Sequence, residues 1–328
     1  VDQKQATFKL TSALLDKATK SPTAINVVAS FGLYMFSEWA KLAKPLIKAA
    51  GEKSTSGTGW VDSFIAEIDK TMGEFPDIIK DDQIQYVDYL YKYFKNDFIK
   101  KNKIKVVAKA AEVPEIVPIL WVEKDIEALE AITRMSTQST GNFYKGSVQQ
   151  VVRDSIQKNV LESNLSREEA VARMQRDLSK ALKMEPGQLE SEVVPAGYRG
   201  TAESYFSGLA DHTASISRTM GAITTMDEID VQTMVVRSVR SNRTCVGCIA
   251  MDGQTYKVST VKTHMNKLLA ADNIDDLKEA QPWFHFKTPD EYSEKGLAEA
   301  SAKAQTIVEG NIQIPPFHFR CECFVDMV

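Results

Sequence analysis

The four cysteines of the chain come as two close pairs, and a histidine stands beside the second. Cys245 and Cys248 form a Cys-x-x-Cys; Cys321 and Cys323 follow His318 in Pro315-Pro316-Phe317-His318-Phe319-Arg320-Cys321-Glu322-Cys323. A Cys-x-x-Cys turn suits tetrahedral zinc, because it brings two thiolates to one ion while nearby amides donate to sulfur. Gly247 eases that turn. The second cluster offers three donors, His318, Cys321 and Cys323, and in an extended chain residues 321 and 323 point to the same side. A four-ligand site would take Cys245, Cys248 and two of those three. The 72 residues between Cys248 and Cys321 exceed ordinary zinc-finger spacing. Two other states therefore stand beside zinc: cross-paired disulfides, and reduced thiols that are simply buried. A redox role for the Cys-x-x-Cys is disfavoured, since no βαβ thioredoxin pattern surrounds it.

For the clusters to meet, the intervening chain must form a closed domain. Met234 to Val239 is rich in β-branched residues and predicts a strand. Asp252-Gly253 predicts a tight hairpin turn between Cys248 and Tyr256. Phe324-Val325 predicts a closing strand against that hairpin. Before the first pair, Arg243 is expected to meet a local carboxylate and Thr244 to bond the backbone of the turn. Arg218, at the end of its predicted helix, is expected to face the helix C-terminal dipole.

The order of these motifs carries a resemblance. Arg243-Thr244-Cys245-x-x-Cys248, then Asp252-Gly253-x-x-Tyr256, then Pro315-Pro316-x-His318-x-x-Cys321-x-Cys323 resembles the C-terminal domain of the phage Mu F-like minor head proteins. The chain departs from that pattern at Ser241 (commonly aspartate), Phe319 (commonly proline) and Glu322 (commonly arginine). Ile126 to Leu182 is similar to the family's helical lead-in, with Asn164 to Ala170 opening a helix. Tyr198 to Met220 is similar to its next helix, with Ala214-Ser215-Ile216-Ser217-Arg218-Thr219 near the end. The resemblance covers about residues 120–328. It implies a minor capsid protein inside the head of a tailed phage or prophage. Such a protein associates with portal, capsid or scaffold proteins during head morphogenesis, in the host cytoplasm and then in the virion, and touches DNA or is ejected with it.

The rest of the chain reads as helical. Trp60, Phe64, Ile68 and Met72 recur at four, and Ile84, Val87, Tyr91, Phe94 and Phe98 at three and four. Helices are also expected over Ala6–Lys20 and Ala24–Lys44, split at Ser21-Pro22, with a loop at Gly51–Gly59. Ile126, Leu129, Ile132 and Met135 form another stripe. Ser166 and Glu169 form a capping box for the helix lined by Val171, Met174, Leu178 and Leu182, and Pro186-Gly187 ends that region. Tyr86, Tyr89, Tyr91, Tyr93 and Phe94 point around several sides of one helix, so an aromatic face is expected to meet a partner surface, with burial inside the same chain as the alternative.

The expected fold is therefore mainly α-helical, with a small α+β C-terminal domain. Its expected division is a helical module over 1–115, a lead-in over 116–230 and a cysteine-bearing domain over 231–328. The first boundary is placed by the lysine run Lys95, Lys100, Lys101, Lys103, Lys105 and Lys109, followed by Pro114 and Pro118. Within that run, Lys100, Lys101, Lys103 and Lys105 could contact DNA phosphates without sequence preference.

With 328 residues, 43% of them hydrophobic, the chain has enough for more than one core. A net charge of −4 confines any nucleic-acid site to a local patch. No run of about 18 apolar residues predicts a membrane span; the best stretch, Ser21 to Ser37, holds Pro22, Thr23, Asn26 and Ser30. Lys4 and Lys9 are not followed by an apolar h-region, so no signal peptide is expected. The sequence has no H-E-x-x-H, G-x-S-x-G or P-loop motif. His212, His264 and His285 sit in contexts unrelated to His318, His285 in an aromatic patch. The expectation is binding rather than catalysis. The alternatives are an enzyme or toxin with its activity in residues 1–115, and a zinc-stabilised adaptor outside a phage.

Overall fold

A computed structural model describes residues 24–53, 59–102, 104, 123–161, 167–185, 200–242, 244–271, 276, 279–280, 286–310, 314–318 and 321–328. The expected helix at Ala6–Lys20, the Ser21-Pro22 break, Lys103, Lys105, Lys109, Pro114, Pro118, Ser166, Pro186-Gly187, Arg243 and His285 lie outside those residues.

The elements are mainly helices: α1 (Ala24–Lys53), α2 (Val61–Gly73), α3 (Phe75–Lys101), α4 (Glu123–Phe143), a π-helical stretch (Tyr144–Val148), α5 (Gln149–Leu161), α6 (Arg167–Ala181) and α7 (Ala202–Glu228). Then follow β1 (Thr233–Arg237), α8 (Val246–Met251), β2 (Thr255–Lys257), α9 (Val258–Leu269), a 3-10 turn (Pro289–Glu291), α10 (Glu294–Gly310) and β3 (Phe324–Met327). The fold is thus mainly helical with a small three-stranded antiparallel sheet near the C-terminus, as the sequence pattern predicts.

The chain forms two compact units: Val1–Gln83 with Ser136–Ala210, and Ile84–Met135 with Asp211–Val328. They are interleaved along the sequence, and α3, α4 and α7 each contribute residues to both. The boundary expected near residue 115 falls outside the described residues.

In the first unit, Trp39 is fully buried among aromatic rings, 5.2 Å from Phe75, 5.1 Å from Phe143 and 5.7 Å from Phe206 between centroids. Its indole Nε1 donates to the Leu182 carbonyl at 3.1 Å, so the one polar atom of the ring is satisfied. α1 runs on through Pro45, where the sequence predicts a stop after Lys44. Leu46 and Ala50 continue its buried stripe, and their burial offsets the hydrogen bond a proline removes. At Gly51 a Cβ would lie 2.6 Å from the Gln175 side chain, so the expected loop residue is a close-approach position inside the helix. The π-helical stretch has a clear local cause. Tyr144, Gln149 and Arg153 all reach Asp69, the first two at 2.7 and 3.0 Å. Residues five apart share a face only when a turn is widened in this way. Burial raises the Asp69 pKa, but these three partners together hold it below the usual carboxylate range.

In the second unit, Val87, Tyr91 and Phe98 from α3 pack with Ile216, Met220 and Ile223 from α7, Met234 from β1, Val261 and Met265 from α9, and Val325 from β3. β1 is the central strand, in the order β2-β1-β3. Its run Met234-Val235-Val236 is buried on both faces, as a middle strand requires. Met234 stands opposite Tyr256 on one side and Met327 on the other.

Two expectations change here. Asp252-Gly253 does not join two strands directly. It ends α8 and turns the chain into β2, with Gly253 at φ +86°. Of the aromatics on α3, Tyr86 and Tyr91 are buried, while Tyr89, Tyr93 and Phe94 are half-buried, Tyr89 stacked on Tyr93 at 6.3 Å and Phe94 edge-on to Tyr93 at 5.3 Å. Burial within the chain therefore accounts for the first two.

Lys95, read from the sequence as part of a basic run, is buried. Its Nζ lies 2.8 Å from Asp125 and 2.9 Å from Glu228. Asp125 also accepts the Tyr91 hydroxyl at 2.7 Å. Removing one partner strands a charge in the core. Asp125→Ala is therefore expected to destabilise the protein by about 3–5 kcal/mol. The double replacement Lys95→Met with Asp125→Leu should cost clearly less than the two single changes added together. Urea denaturation of Asp125→Ala, of Lys95→Met and Asp125→Leu singly, and of the double variant checks this.

Candidate metal centre

Two short structures in the second unit build the site. The first is the start of α8. Cys245 is its N-cap, in extended conformation, and its sulfur accepts the Cys248 amide at 3.4 Å. A thiol thus fills the place that an oxygen side chain usually takes. The loop before it is braced by Thr244, whose hydroxyl donates to the Val239 carbonyl at 2.6 Å and accepts the Ser241 amide at 2.9 Å, as the sequence reading expects. Asp252, just past α8, accepts the Ser238 amide at 2.9 Å and the Arg240 guanidinium at 2.8 Å. Burial alone would raise its pKa, and these two partners instead hold it low.

The second structure is the tail before β3. Phe317 is fully buried, His318 is half-buried, and the Cys321 amide donates back to the His318 carbonyl at 3.2 Å. Cys321 and Cys323 are buried while Glu322 between them is exposed, so the alternation expected of an extended segment is present. Val236, Met251 and Phe317 form an apolar shell around the four sulfurs.

The two halves meet. His318 Nε2 lies 3.4 Å from Cys245 Sγ and 3.2 Å from Cys248 Sγ, and Cys248 Sγ lies 3.7 Å from Cys321 Sγ. The donors form two groups of three, Cys245, Cys248 and His318, and Cys248, Cys321 and Cys323, each within 4.8 Å internally. Cys248 belongs to both. All four cysteines are free thiols here. The groups could hold a metal ion, and all five residues singled out from the sequence belong to them.

The electrostatics agree with a ligand set. The Cys248 thiol donates towards its neighbours and is itself pushed far up, first by its bond to Cys245. In return Cys245 is drawn down to about 4 and Cys321 to about 2, each chiefly by Cys248. For Cys323 the bond to Cys248 pulls downward, but the bond to Cys321, burial and the Cys321 charge push upward and prevail. Cysteine binds a metal as the thiolate, so binding there would displace the protons these sulfurs share.

Other predicted residues fall elsewhere. Arg218 is not at a helix end, because α7 continues to Glu228; its guanidinium lies 4.1 Å from the centre of the Phe324 ring. Lys100 is exposed, whereas Lys101 pairs with Asp326 at 3.1 Å. His264 lies on α9. His212 was set apart from His318 by sequence, yet its buried imidazole hydrogen-bonds the His318 backbone, and burial lowers its pKa to about 4. Ser215, one turn on, donates to the Cys321 carbonyl at 3.0 Å. Their three-residue spacing on α7 is the only sequence signal that could have found this pair. No described helix is long and apolar enough to cross a membrane. Neither a protein-family model, nor a curated protein, nor a solved structure matches the chain.

Because Cys248 serves both donor groups, Cys248→Ser is expected to abolish metal uptake. Cys323→Ser leaves Cys245, Cys248 and His318 intact and should retain it. Elemental analysis of the purified variants beside the unmodified protein distinguishes the two.

Proposed function

We propose that the chain is a structural and assembly protein of a tailed-phage or prophage head: a minor capsid protein, held inside the head with the portal, whose C-terminal domain is closed by one zinc ion. The observation that carries this reading is the meeting of Cys248 with His318 and Cys321. Two of the motifs on which the resemblance to Mu F-like minor head proteins rests, the Cys-x-x-Cys and the late His-x-x-Cys, lie side by side. Zinc fits the donor set because thiolate and imidazole suit it and because it is content with a tetrahedron. Bonds of 2.3 Å to sulfur and 2.0–2.1 Å to nitrogen place tetrahedral neighbours about 3.8 Å apart for two sulfurs and about 3.6 Å apart for sulfur and nitrogen. The corresponding separations here are 3.7 Å, and 3.2 and 3.4 Å. The role of the ion is to cross-link the chain, and the role of the protein is to bind portal, capsid or scaffold partners. Half-buried Tyr89, Tyr93 and Phe94 offer an aromatic anchor for one of them. DNA contact runs through exposed Lys100, with Lys103 and Lys105; Lys101 is partly neutralised by Asp326.

The reduced, purified protein is expected to contain about one zinc per chain. An absence of metal together with four titratable thiols would reject the ion. Co-expression with the portal protein of the same phage is expected to give a complex visible by size and mass. Failure to associate with portal, capsid or scaffold proteins would reject the assembly role. DNA affinity should fall steeply with salt, and neutral substitutions at Lys100, Lys103 and Lys105 should flatten the slope. An unchanged slope would move the DNA contact elsewhere.

A further inference from the structure

We infer that one face of α7, carrying His212, Ser215 and Arg218, is the outer shell that positions the second half of the metal centre, an inference that rests on that centre holding an ion. The three residues lie at successive steps of three along the helix and so share a face. Each meets the tail at the corresponding step. His212 hydrogen-bonds the backbone of His318, Ser215 donates to the carbonyl of Cys321, and Arg218 lies over the ring of Phe324. Every pair is separated by the same 106 residues of chain, so helix and tail run alongside each other in register.

The geometry of the match is physically reasonable. Three helical residues rise about 4.5 Å, whereas three extended residues span about 10 Å. The tail shortens its first step by turning, with the Cys321 amide bonded to the His318 carbonyl at 3.2 Å. It then extends into β3, and the long arginine side chain spans the difference. Both polar contacts from α7 go to the backbone of the tail, not to donor atoms. They leave the His318 ring and the Cys321 thiol free to face Cys248 while fixing where each is launched from. Outer contacts of this kind orient ligands before the ion arrives, and their loss commonly costs 10- to 100-fold in metal affinity. His212 and Ser215 are positioning residues in this sense. They touch no metal and act through residues that do.

The test uses the full chain, with zinc affinity measured by competition against a chelating dye and ligand geometry by the visible spectrum of the cobalt-substituted protein. Ser215→Ala and His212→Phe are expected to weaken zinc binding about 10- to 100-fold and to alter the cobalt bands. The melting temperature of the metal-free protein should change little. Ser215→Thr, which keeps the hydroxyl, should restore both affinity and spectrum. If His212→Phe fails to fold, the Ser215 pair decides alone. Unchanged affinity and spectrum in Ser215→Ala, with zinc still bound by the unmodified protein, would overturn this inference and leave the metal reading standing. An unmodified protein that binds neither zinc nor cobalt would overturn both.

Discussion

The second compact unit depends on one contact between distant parts of the chain, the approach of Cys248 to His318 and Cys321. Closing a loop of that length costs entropy, and a cross-link that holds it closed recovers about 4–5 kcal/mol by the same chain-entropy reasoning applied to disulfides. An ion bound there would instead stabilise the closed form by its own binding free energy, because the unfolded chain has no preformed site. The sheet is arranged around this closure. β1 is central, β2 follows directly from the Cys-x-x-Cys helix, and β3 follows directly from Cys323. Each half of the site therefore leads into a strand paired to β1, so the sheet and the site hold one another in register.

A similar economy of position governs the buried charges. Lys95 would be very costly in the core by itself. Asp125 and Glu228 approach it from helices α4 and α7, and Tyr91 completes the coordination of Asp125. Such a pair does little for net stability compared with well-packed apolar residues. Its effect is to penalise any packing of α3, α4 and α7 in which the three charges fail to meet. Asp69 plays the equivalent part in the first unit, where the widened turn at Tyr144–Val148 exists in a position that delivers three donors to one carboxylate.

Much of this was legible in the sequence because it depends on local periodicity. The stripe Phe64, Ile68 and Met72 becomes the buried face of α2, and the run Met234 to Val236 becomes the central strand. The five donors were legible from residue type and spacing. What could not be read depends on partners far away in the chain. Lys95 looks solvated until Asp125 and Glu228 are brought to it. Pro45 looks like a helix stop until the burial of Leu46 and Ala50 beyond it is known. His212 looks unrelated to His318 because 106 residues separate them and only the folded tail restores the register. Asp252-Gly253 was read correctly as a turn and wrongly as a two-stranded one. The Cys-x-x-Cys beside it forms a helical turn, and the glycine serves to leave that helix rather than to reverse a strand.

The number of donors bears on what an ion at this site could do. A catalytic zinc is held by three protein ligands and keeps a position open for water or substrate, whereas a structural zinc is closed by four. Here two groups of three donors share Cys248, and the four cysteines are buried with Val236, Met251 and Phe317. A buried donor set of this kind would leave an ion little room for water. Thiolate ligands also transfer more charge to zinc than imidazole or carboxylate does, which weakens its pull on any water that enters. For an ion held there, both effects would favour a cross-link over a Lewis acid.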